Sequence, residues 1–142
     1  MKAVLLDTGV IVALLDRSEH YHKACVKILS SLPNPLITCE AVIAESCFLL
    51  RDHSGASDAI LQNIQEGNFQ IPFDIGTCAR EVRQLTKKYH DVPMDFADAC
   101  LVHLEGEFNT GKILTLDSDF RSYRWAKNRP FENLIPLELK KR

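Results

Sequence analysis

The chain has 142 residues, of which 46% are hydrophobic and 25% are charged, as is typical of a globular chain with one hydrophobic core. A formal net charge of −2 excludes a protein that coats nucleic acid through bulk positive charge, although it permits a local basic patch. No apolar run is long enough to span a membrane, the N-terminus lacks the order of a signal peptide, and the five cysteines form no C-x-x-C pair. We therefore expect one domain over residues 1–142, a cytoplasmic location and no membrane partner.

Strand and helix patterns alternate along the chain. Short continuous apolar runs are typical of strands covered on both faces, and they are separated by apolar stripes with helical spacing. The predicted elements are strand 3–6, helix 10–15, helix 21–32, strand 36–38, helix 40–51, helix 57–66, strand 69–73, helix 78–89, helix 96–105, strand 113–116 and strand 134–137. This alternation predicts an α/β fold, a three-layer α/β/α sandwich around a central, mostly parallel sheet of about five strands.

Two of the predicted strands are followed directly by an aspartate. Asp7 comes after Ala3–Leu6, and Asp117 comes after Ile113–Leu116. Ligands of parallel α/β sheets bind beyond the carboxyl ends of the strands, so the repeated placement favours a site at that edge. For Asp7 the alternative is a structural one, in which Asp7 or Thr8 caps the next helix.

Glu45 is predicted to lie within the apolar arc of its helix. The helical wheel surrounds it with four apolar side chains, Ala41, Val42, Phe48 and Leu49. Burial of an unpaired carboxylate is costly, so this position predicts a cation, a hydrogen-bonding partner or a crevice that opens to water. The alternative is a salt bridge to Arg51 or Arg80.

Asp95 and Asp98 open another predicted helix, directly after Val92-Pro93. Both acids favour a helix N-terminus, where Asp95 would cap and Asp98 would interact with the helix dipole. A structural role and a role in a site are therefore both compatible with this pair. Asp119 is likewise a candidate cap for the turn that follows Asp117.

Four segments carry a family resemblance, in the order LLDTGVI at 5–11, Glu45, DFADA at 95–99 and LTLDSDF at 114–120. Together they span nearly the whole chain and resemble the PIN-domain family, in particular the VapC-like toxin ribonucleases of type II toxin–antitoxin systems. The resemblance implies an endoribonuclease that hydrolyses RNA phosphodiester bonds by metal-activated water. Oxygen ligands favour Mg²⁺ or Mn²⁺ as the cofactor.

The resemblance also implies roles for individual residues and partners. The acidic quartet that would bind metal and act in catalysis is Asp7, Glu45, Asp98 and Asp117. Asp95 and Asp119 would be auxiliary acids. Thr8 and Thr115 would contact the metal ligands without binding the metal themselves. The implied partners are the RNA substrate, a second copy of the chain in a homodimer, and a cognate antitoxin. The complex would contact operator DNA only through this antitoxin.

A basic stretch near the C-terminus is a candidate RNA contact. Its seven cations are Arg121, Arg124, Lys127, Arg129, Lys140, Lys141 and Arg142. Arg121 and Arg124 are the strongest candidates because aromatic residues are interleaved with them, as in single-strand-binding surfaces. The alternative is a solvated basic tail.

Two other functions stay open on the sequence. One is a catalytically silent PIN-like module that binds RNA or protein. The other is a phosphoacceptor signalling domain, which also places aspartates at strand ends and binds Mg²⁺. The second fits less well, because Asp7 has no acidic neighbour and Ile135–Leu137 contains no lysine.

Overall fold

A five-stranded parallel sheet lies at the centre of the structure, a computed structural model that describes residues 3–32, 35–125 and 128–137. The strands are β1 (Val4–Leu6), β2 (Leu36–Ile37), β3 (Phe69–Gln70), β4 (Lys112–Leu114), β5 (Arg124–Trp125), β6 (Arg129–Pro130) and β7 (Glu132–Asn133). The central sheet has the order β3-β2-β1-β4-β7, and β5 and β6 form a separate antiparallel pair. In the register, Leu5 of β1 lies between Ile37 and Ile113, so β1 occupies the middle of the sheet.

Helices flank this sheet and confirm the predicted α/β/α fold. They are α1 (Thr8–Leu15), α2 (His22–Ser31), α3 (Glu40–Leu49), α4 (Ala56–Gln65), α5 (Ile75–Lys88) and α6 (Phe96–Phe108), with a 3₁₀ helix over Ser118–Arg121. Three of the α-helices begin beside an aspartate cap, because the carboxylates of Asp7, Asp74 and Asp95 accept backbone N–H bonds of the first turn. Among the described residues, none of the helices has the length and apolar character that crossing a bilayer requires.

The C-terminal part of the sheet differs from the prediction. The fifth strand of the central sheet is β7, whereas the sequence pattern predicts a strand at 134–137. The Asn133 side chain explains the difference, since its Oδ1 accepts from the backbone N–H groups of both Thr115 and Ile135, which turns the chain away from the ladder. The short β5–β6 pair was not predicted, because its polar and proline residues carry no strand pattern.

The centre of the sheet is fully enclosed, as the apolar runs predicted. Leu5, Leu6, Ile113 and Leu114 are each 0% exposed. Beyond the end of β1, the backbone N–H of Asp7 donates to the carbonyl of Leu114 at 3.0 Å, so the β1–β4 pairing extends by one residue. The fold therefore holds Asp7 at a fixed place on the carboxyl edge of the sheet.

Candidate metal centre

Three carboxylates converge at the carboxyl edge of the sheet. Asp7 follows β1, Asp98 lies in the first turn of α6, and Asp117 lies in the loop after β4. Each offers one oxygen, and these oxygens all lie within 4.8 Å of one another. Asp7 is 6% exposed and Asp98 is 5% exposed, so two of the three acids are almost completely removed from water.

Asp7 is held on both sides of its carboxylate. Its Oδ1 accepts the backbone N–H of Thr8 at 2.8 Å, and its Oδ2 accepts the hydroxyl of Thr115 at 2.7 Å. Asp7 is thus the cap of α1 and a member of the acidic cluster at once, which unites the two interpretations of the sequence. Burial raises the pKa of Asp7 to about 6, although the hydrogen bonds from Thr115 and Thr8 act in the opposite direction.

Asp98 is buried against Tyr123, whose hydroxyl donates to its Oδ2 at 2.8 Å. Its backbone N–H donates to Oδ1 of Asp95 at 2.8 Å, which makes Asp95 the cap of α6. Burial, followed by the nearby charge of Asp95, raises the pKa of Asp98 to about 8. In the absence of a cation, burial therefore favours the protonated form of Asp98.

Asp117 reaches the cluster from a loop, whereas the sequence pattern predicts a strand end at this position. β4 ends at Leu114, and Asp117 is fixed by its backbone N–H, which donates to Thr115 Oγ1 at 3.0 Å. Its Oδ1 caps the 3₁₀ helix by accepting the N–H of Asp119 at 2.9 Å. Asp119 is therefore not the cap, and burial together with the charge of Asp117 raises its pKa.

Glu45 is exposed on α3, and it has two of the surroundings that its position predicted, a hydrogen-bonding partner and a cleft that opens to water. The buried positions of α3 are Val42 and Ser46, whereas Phe48 is 61% and Leu49 is 51% exposed. The apolar arc of the helical wheel is divided, because Val42 lies in the core and Ala41 packs against it, whereas Phe48 and Leu49 face solvent. The Glu45 Oε1 accepts the hydroxyl of Thr8 at 2.7 Å, and neither Arg51 nor Arg80 forms an ion pair with it among the described residues.

A cleft of about 290 Å³ unites most of the predicted acids. Its walls include the carboxylates Asp7, Glu45, Asp95, Asp98 and Asp117. Glu45 and Asp95 belong to these walls but lie outside the tight cluster of three, and Asp119 is part of neither. The structure thus gathers the four acids of the predicted quartet at one cleft, with Glu45 at the solvent-exposed side.

Two residues that hold the cluster had no signal in the sequence. Tyr123 binds Asp98 from 25 residues away. Asn133 binds the backbone of Thr115 through two hydrogen bonds, of 3.2 Å to its N–H and 2.9 Å to its carbonyl, and so fixes the threonine that supports Asp7. No local pattern marks such contacts, because the partners lie far apart in the chain.

The two predicted RNA contacts lie in different surroundings. The guanidinium of Arg124 donates to the carbonyls of Arg121 and Tyr123 at 2.7 and 2.8 Å, so it braces the backbone. Arg121 is exposed and lines a cavity beside Asp117. Arg129 lies over the ring of Trp125 at 5.3 Å. Lys127, Lys140, Lys141 and Arg142 lie outside the described residues.

The donor set of the cluster suits a hard divalent cation. All its ligand atoms are carboxylate oxygens, and in the described part of the chain no lysine, arginine or histidine forms a salt bridge with Asp7, Asp98 or Asp117. Three acids this close repel one another, and the raised pKa values of Asp7 and Asp98 express that cost together with burial. A divalent cation with oxygen ligands relieves it.

The sequence also matches a known family. The model of the PIN domain family matches residues 4–126. The chain belongs to the PIN domain family. Ribonuclease VapC26 of Mycobacterium tuberculosis is 28% identical to this PIN domain over 116 residues, which cover 80% of this chain and 86% of the relative.

A solved structure shares the fold of this PIN domain. The crystal structure of Mycobacterium tuberculosis VapC20, described as a toxin that cleaves the sarcin-ricin loop, matches with a TM-score of 0.77. The two sequences are 18% identical, and the match covers 89% of this chain and 99% of VapC20. The predicted membership of the PIN family is therefore confirmed by sequence, and the predicted architecture is confirmed by structure.

Proposed function

We propose that this PIN domain is a Mg²⁺- or Mn²⁺-dependent endoribonuclease that acts as the toxin of a toxin–antitoxin pair, with residues 1–142 forming a single nuclease domain. The observation that carries the proposal is the convergence of Asp7, Asp98 and Asp117 without a compensating basic side chain in the described structure. The names of the relatives, a ribonuclease and a toxin that cleaves the sarcin-ricin loop, support the same class of reaction.

The cluster is the proposed holder of the cation. Asp7, Asp98 and Asp117 would bind it, and Glu45, at the open side of the cleft, would complete the acidic quartet. When bound, Mg²⁺ or Mn²⁺ supplies Lewis acidity to the scissile phosphodiester and promotes deprotonation of the attacking water. The chain needs no nucleophilic side chain for this reaction.

The residues around the acids have positioning roles. Thr115 and Tyr123 donate hydrogen bonds to Asp7 and Asp98, and these bonds favour the ionised carboxylates that a cation requires. Thr8 orients Glu45 through its hydroxyl. Asp95 and Asp119 are auxiliary acids in this proposal, since both raise the negative potential near the cluster without belonging to it.

Exposed apolar side chains at or next in sequence to cleft residues support the proposed protein partners. Phe48 and Leu49 of α3 and Phe96 of α6 are large apolar side chains that are 61%, 51% and 51% exposed. Exposed apolar side chains in such numbers are typical of interaction surfaces, which supports a homodimer and an antitoxin that covers this region. Contact with operator DNA would occur only through the antitoxin, and the whole complex would act in the cytoplasm on an RNA substrate.

Cleavage of RNA by the purified protein tests the proposal. We expect cleavage with Mg²⁺ or Mn²⁺, none after addition of EDTA, and loss of at least about a hundredfold in rate in Asp7→Asn. The control is Asp58→Asn, which removes the same charge from an exposed position of α4 and should cleave normally. Circular dichroism would verify that both variants are folded. Undiminished cleavage in EDTA or by Asp7→Asn would overturn the metal-dependent mechanism.

The alternative is a catalytically silent PIN module. It keeps the cleft and its acids but binds RNA or protein without cutting. Binding of RNA by the wild type with no cleavage under any divalent cation would favour this alternative over the nuclease.

A further inference from the structure

A second cavity adjoins the acidic cleft. It has a volume of about 140 Å³, and Asp117 lies in the walls of both the cavity and the cleft. Its other walls combine apolar and polar residues: Phe120, Phe131, Ile135 and Leu137 are apolar, and Thr115, Asn133 and the exposed Arg121 are polar. A molecule that places a charged group at the acids can therefore extend an attached apolar ring into this cavity.

Arg121 is an unpaired cation beside a strongly acidic site. Its side chain is exposed, and among the described residues no carboxylate or carbonyl binds its guanidinium. It lies in the 3₁₀ helix that Asp117 caps, so a short and structured segment separates the two charges. An arginine that is not used by the fold is available to a ligand, and its planar group both stacks on rings and donates paired hydrogen bonds.

Phe131 supplies an aromatic wall whose position is fixed. Its ring meets Phe120 edge to face at 5.5 Å, and Phe120 meets Tyr123 in the same way at 5.0 Å. Tyr123 in turn binds Asp98, so a line of packed aromatic rings connects the cavity to the acidic cluster. Phe131 is only half buried, which leaves part of its ring accessible.

The occupant that fits these walls is a nucleobase. An aromatic ring and a guanidinium are the groups on which proteins stack the bases of single-stranded RNA. A phosphate alone does not suit the apolar walls, and the volume is small compared with pockets of roughly 300–1,000 Å³ that hold larger ligands. The Oδ1 and one N–H of Asn133 already bind the backbone of Thr115 and Ile135, so Arg121, with its whole guanidinium free among the described residues, is the main group left to read the edge of a base.

We propose that this cavity binds one nucleobase next to the scissile phosphate, with Phe131 as its stacking surface and Arg121 as its hydrogen-bond donor. The inference rests on the proposed nuclease function and adds a specificity determinant to it. Asp117 places the two sites side by side, so the base bound in the cavity fixes which phosphate reaches the acids.

Mapping of RNA ends from a randomised pool tests the proposal. The wild type should show a base preference at one position beside the cut, and both Arg121→Gln and Phe131→Leu should reduce this preference roughly fivefold or more while cleavage persists. Arg83→Gln, an exposed arginine of α5, is the charge-matched control and should keep the wild-type preference. An absent preference, or one unchanged in both variants, overturns the proposal.

A binding measurement separates this proposal from the nuclease function. An RNA with 2-aminopurine at the preferred position is titrated with Asp7→Asn protein, so that nothing is cut. Stacking of the base should quench the fluorescence. The double variant Asp7→Asn/Phe131→Leu should show much less quenching, whereas the double variant Asp7→Asn/Arg83→Gln should quench as Asp7→Asn does. Quenching that persists with Phe131→Leu overturns the base site. A wild type that cuts no RNA overturns both proposals, and a wild type that cuts with a preference independent of Arg121 and Phe131 overturns this one alone.

Discussion

The hydroxyl of Tyr123 donates a hydrogen bond of 2.8 Å to Oδ2 of Asp98. Through this contact, a fully buried residue from the C-terminal part of the chain determines the orientation and the acidity of a carboxylate in the first turn of α6. The bond favours ionised Asp98, against the burial and the neighbouring charge of Asp95 that raise its pKa.

We expect Tyr123→Phe to weaken cation binding at neutral pH. Without the hydroxyl, the pKa of Asp98 rises further above about 8, so protons compete better with the cation. The pH at which Mn²⁺ binding is half maximal should increase by about one, measured by calorimetric titration across pH. Tyr89→Phe is the matched control, because that neighbouring hydroxyl accepts a bond from the backbone N–H of Arg124 and touches no acid of the cluster. An equal increase in both variants would contradict this role of Tyr123.

The metal-free protein should lose stability as pH rises. Burial raises the pKa of Asp7 to about 6 and of Asp98 to about 8 from an ordinary value of 3.8, so the folded state binds more protons than the unfolded state in that window. The contribution of these two acids to stability is fully present below the pKa of the unfolded state. It is lost as pH rises through the pKa values of the folded state. A tenfold difference in acidity between the folded and unfolded states corresponds to about 1.4 kcal/mol, so the loss between about pH 5 and 9 should be of the order of a few kcal/mol.

Thermal unfolding in EDTA at the two pH values measures this loss. Asp98→Asn should lose less stability than the wild type over the same range, because its amide does not titrate. At alkaline pH, Mn²⁺ at a hundredfold excess over Kd should increase the free energy of unfolding of the wild type by about 2.7 kcal/mol. The same Mn²⁺ concentration should stabilise Asp98→Asn less. A wild type as stable in EDTA at high pH as at low pH would contradict the prediction.

Glu105 of α6 should destabilise the fold. It is 0% exposed, both carboxylate oxygens lack a hydrogen-bond partner among the described residues, and burial raises its pKa to about 10. Folding therefore requires this side chain to take up a proton, and stability falls as pH rises from the unfolded value of 4.5 towards about 10. We expect Glu105→Gln to remove the pH dependence that Glu105 causes. Glu105→Leu should be more stable than Glu105→Gln by about 1–3 kcal/mol, because leucine buries no polar group.

Urea denaturation of the two variants at several pH values measures both effects. Glu81→Gln, which removes an exposed carboxylate from α5, is the control and should change stability little. A Glu105→Leu variant less stable than the wild type at every pH would show that Glu105 has an essential partner in the folded protein.

Gly111 should not tolerate a side chain. A Cβ atom at this position would overlap the indole of Trp125, with Nε1 and Cε2 as its nearest atoms. Since the indole is anchored by its N–H bond to the carbonyl of Pro130 at 3.1 Å, we expect Gly111→Ala to cost about 1–3 kcal/mol. Gly106→Ala is the control: it has open space in α6 and should gain up to about 1 kcal/mol. Thermal melts compare the two, and equal melting temperatures would refute the clash.

The sheet and most helices were predictable from the sequence because their signals are local. The apolar runs of β1 and β4 and the aspartate caps are each readable within a few residues. The exposure of single positions of α3 was not predictable, because periodicity shows which apolar residues share a side of the helix but not how much of that side the core covers. Phe48 is an example: it lies in the apolar arc yet is exposed beneath the guanidinium of Arg51, 4.2 Å from its ring.

The acids of the site were predictable one by one from the sequence. The residues that hold these acids in place through hydrogen bonds were not. Asp7 follows a recognisable strand and Asp98 lies near a recognisable helix start, so placement and family resemblance both indicated them. Tyr123 and Asn133 act across long sequence separations, and neither residue type has a pattern that reveals its partner. The assignment of catalytic roles stays a prediction until the variants above are measured.

Two hydrogen bonds between Asn133 and the backbone of Thr115, and one from the Thr115 hydroxyl to Asp7, join β7 to the end of β1. On the ribosome, Asp7 is made long before Thr115 and Asn133, so these hydrogen bonds can form only after residue 133 has been synthesised. Under the proposed ribonuclease function, a nascent polypeptide that ends before Asn133 would lack the support of its acidic centre while its own message is being translated.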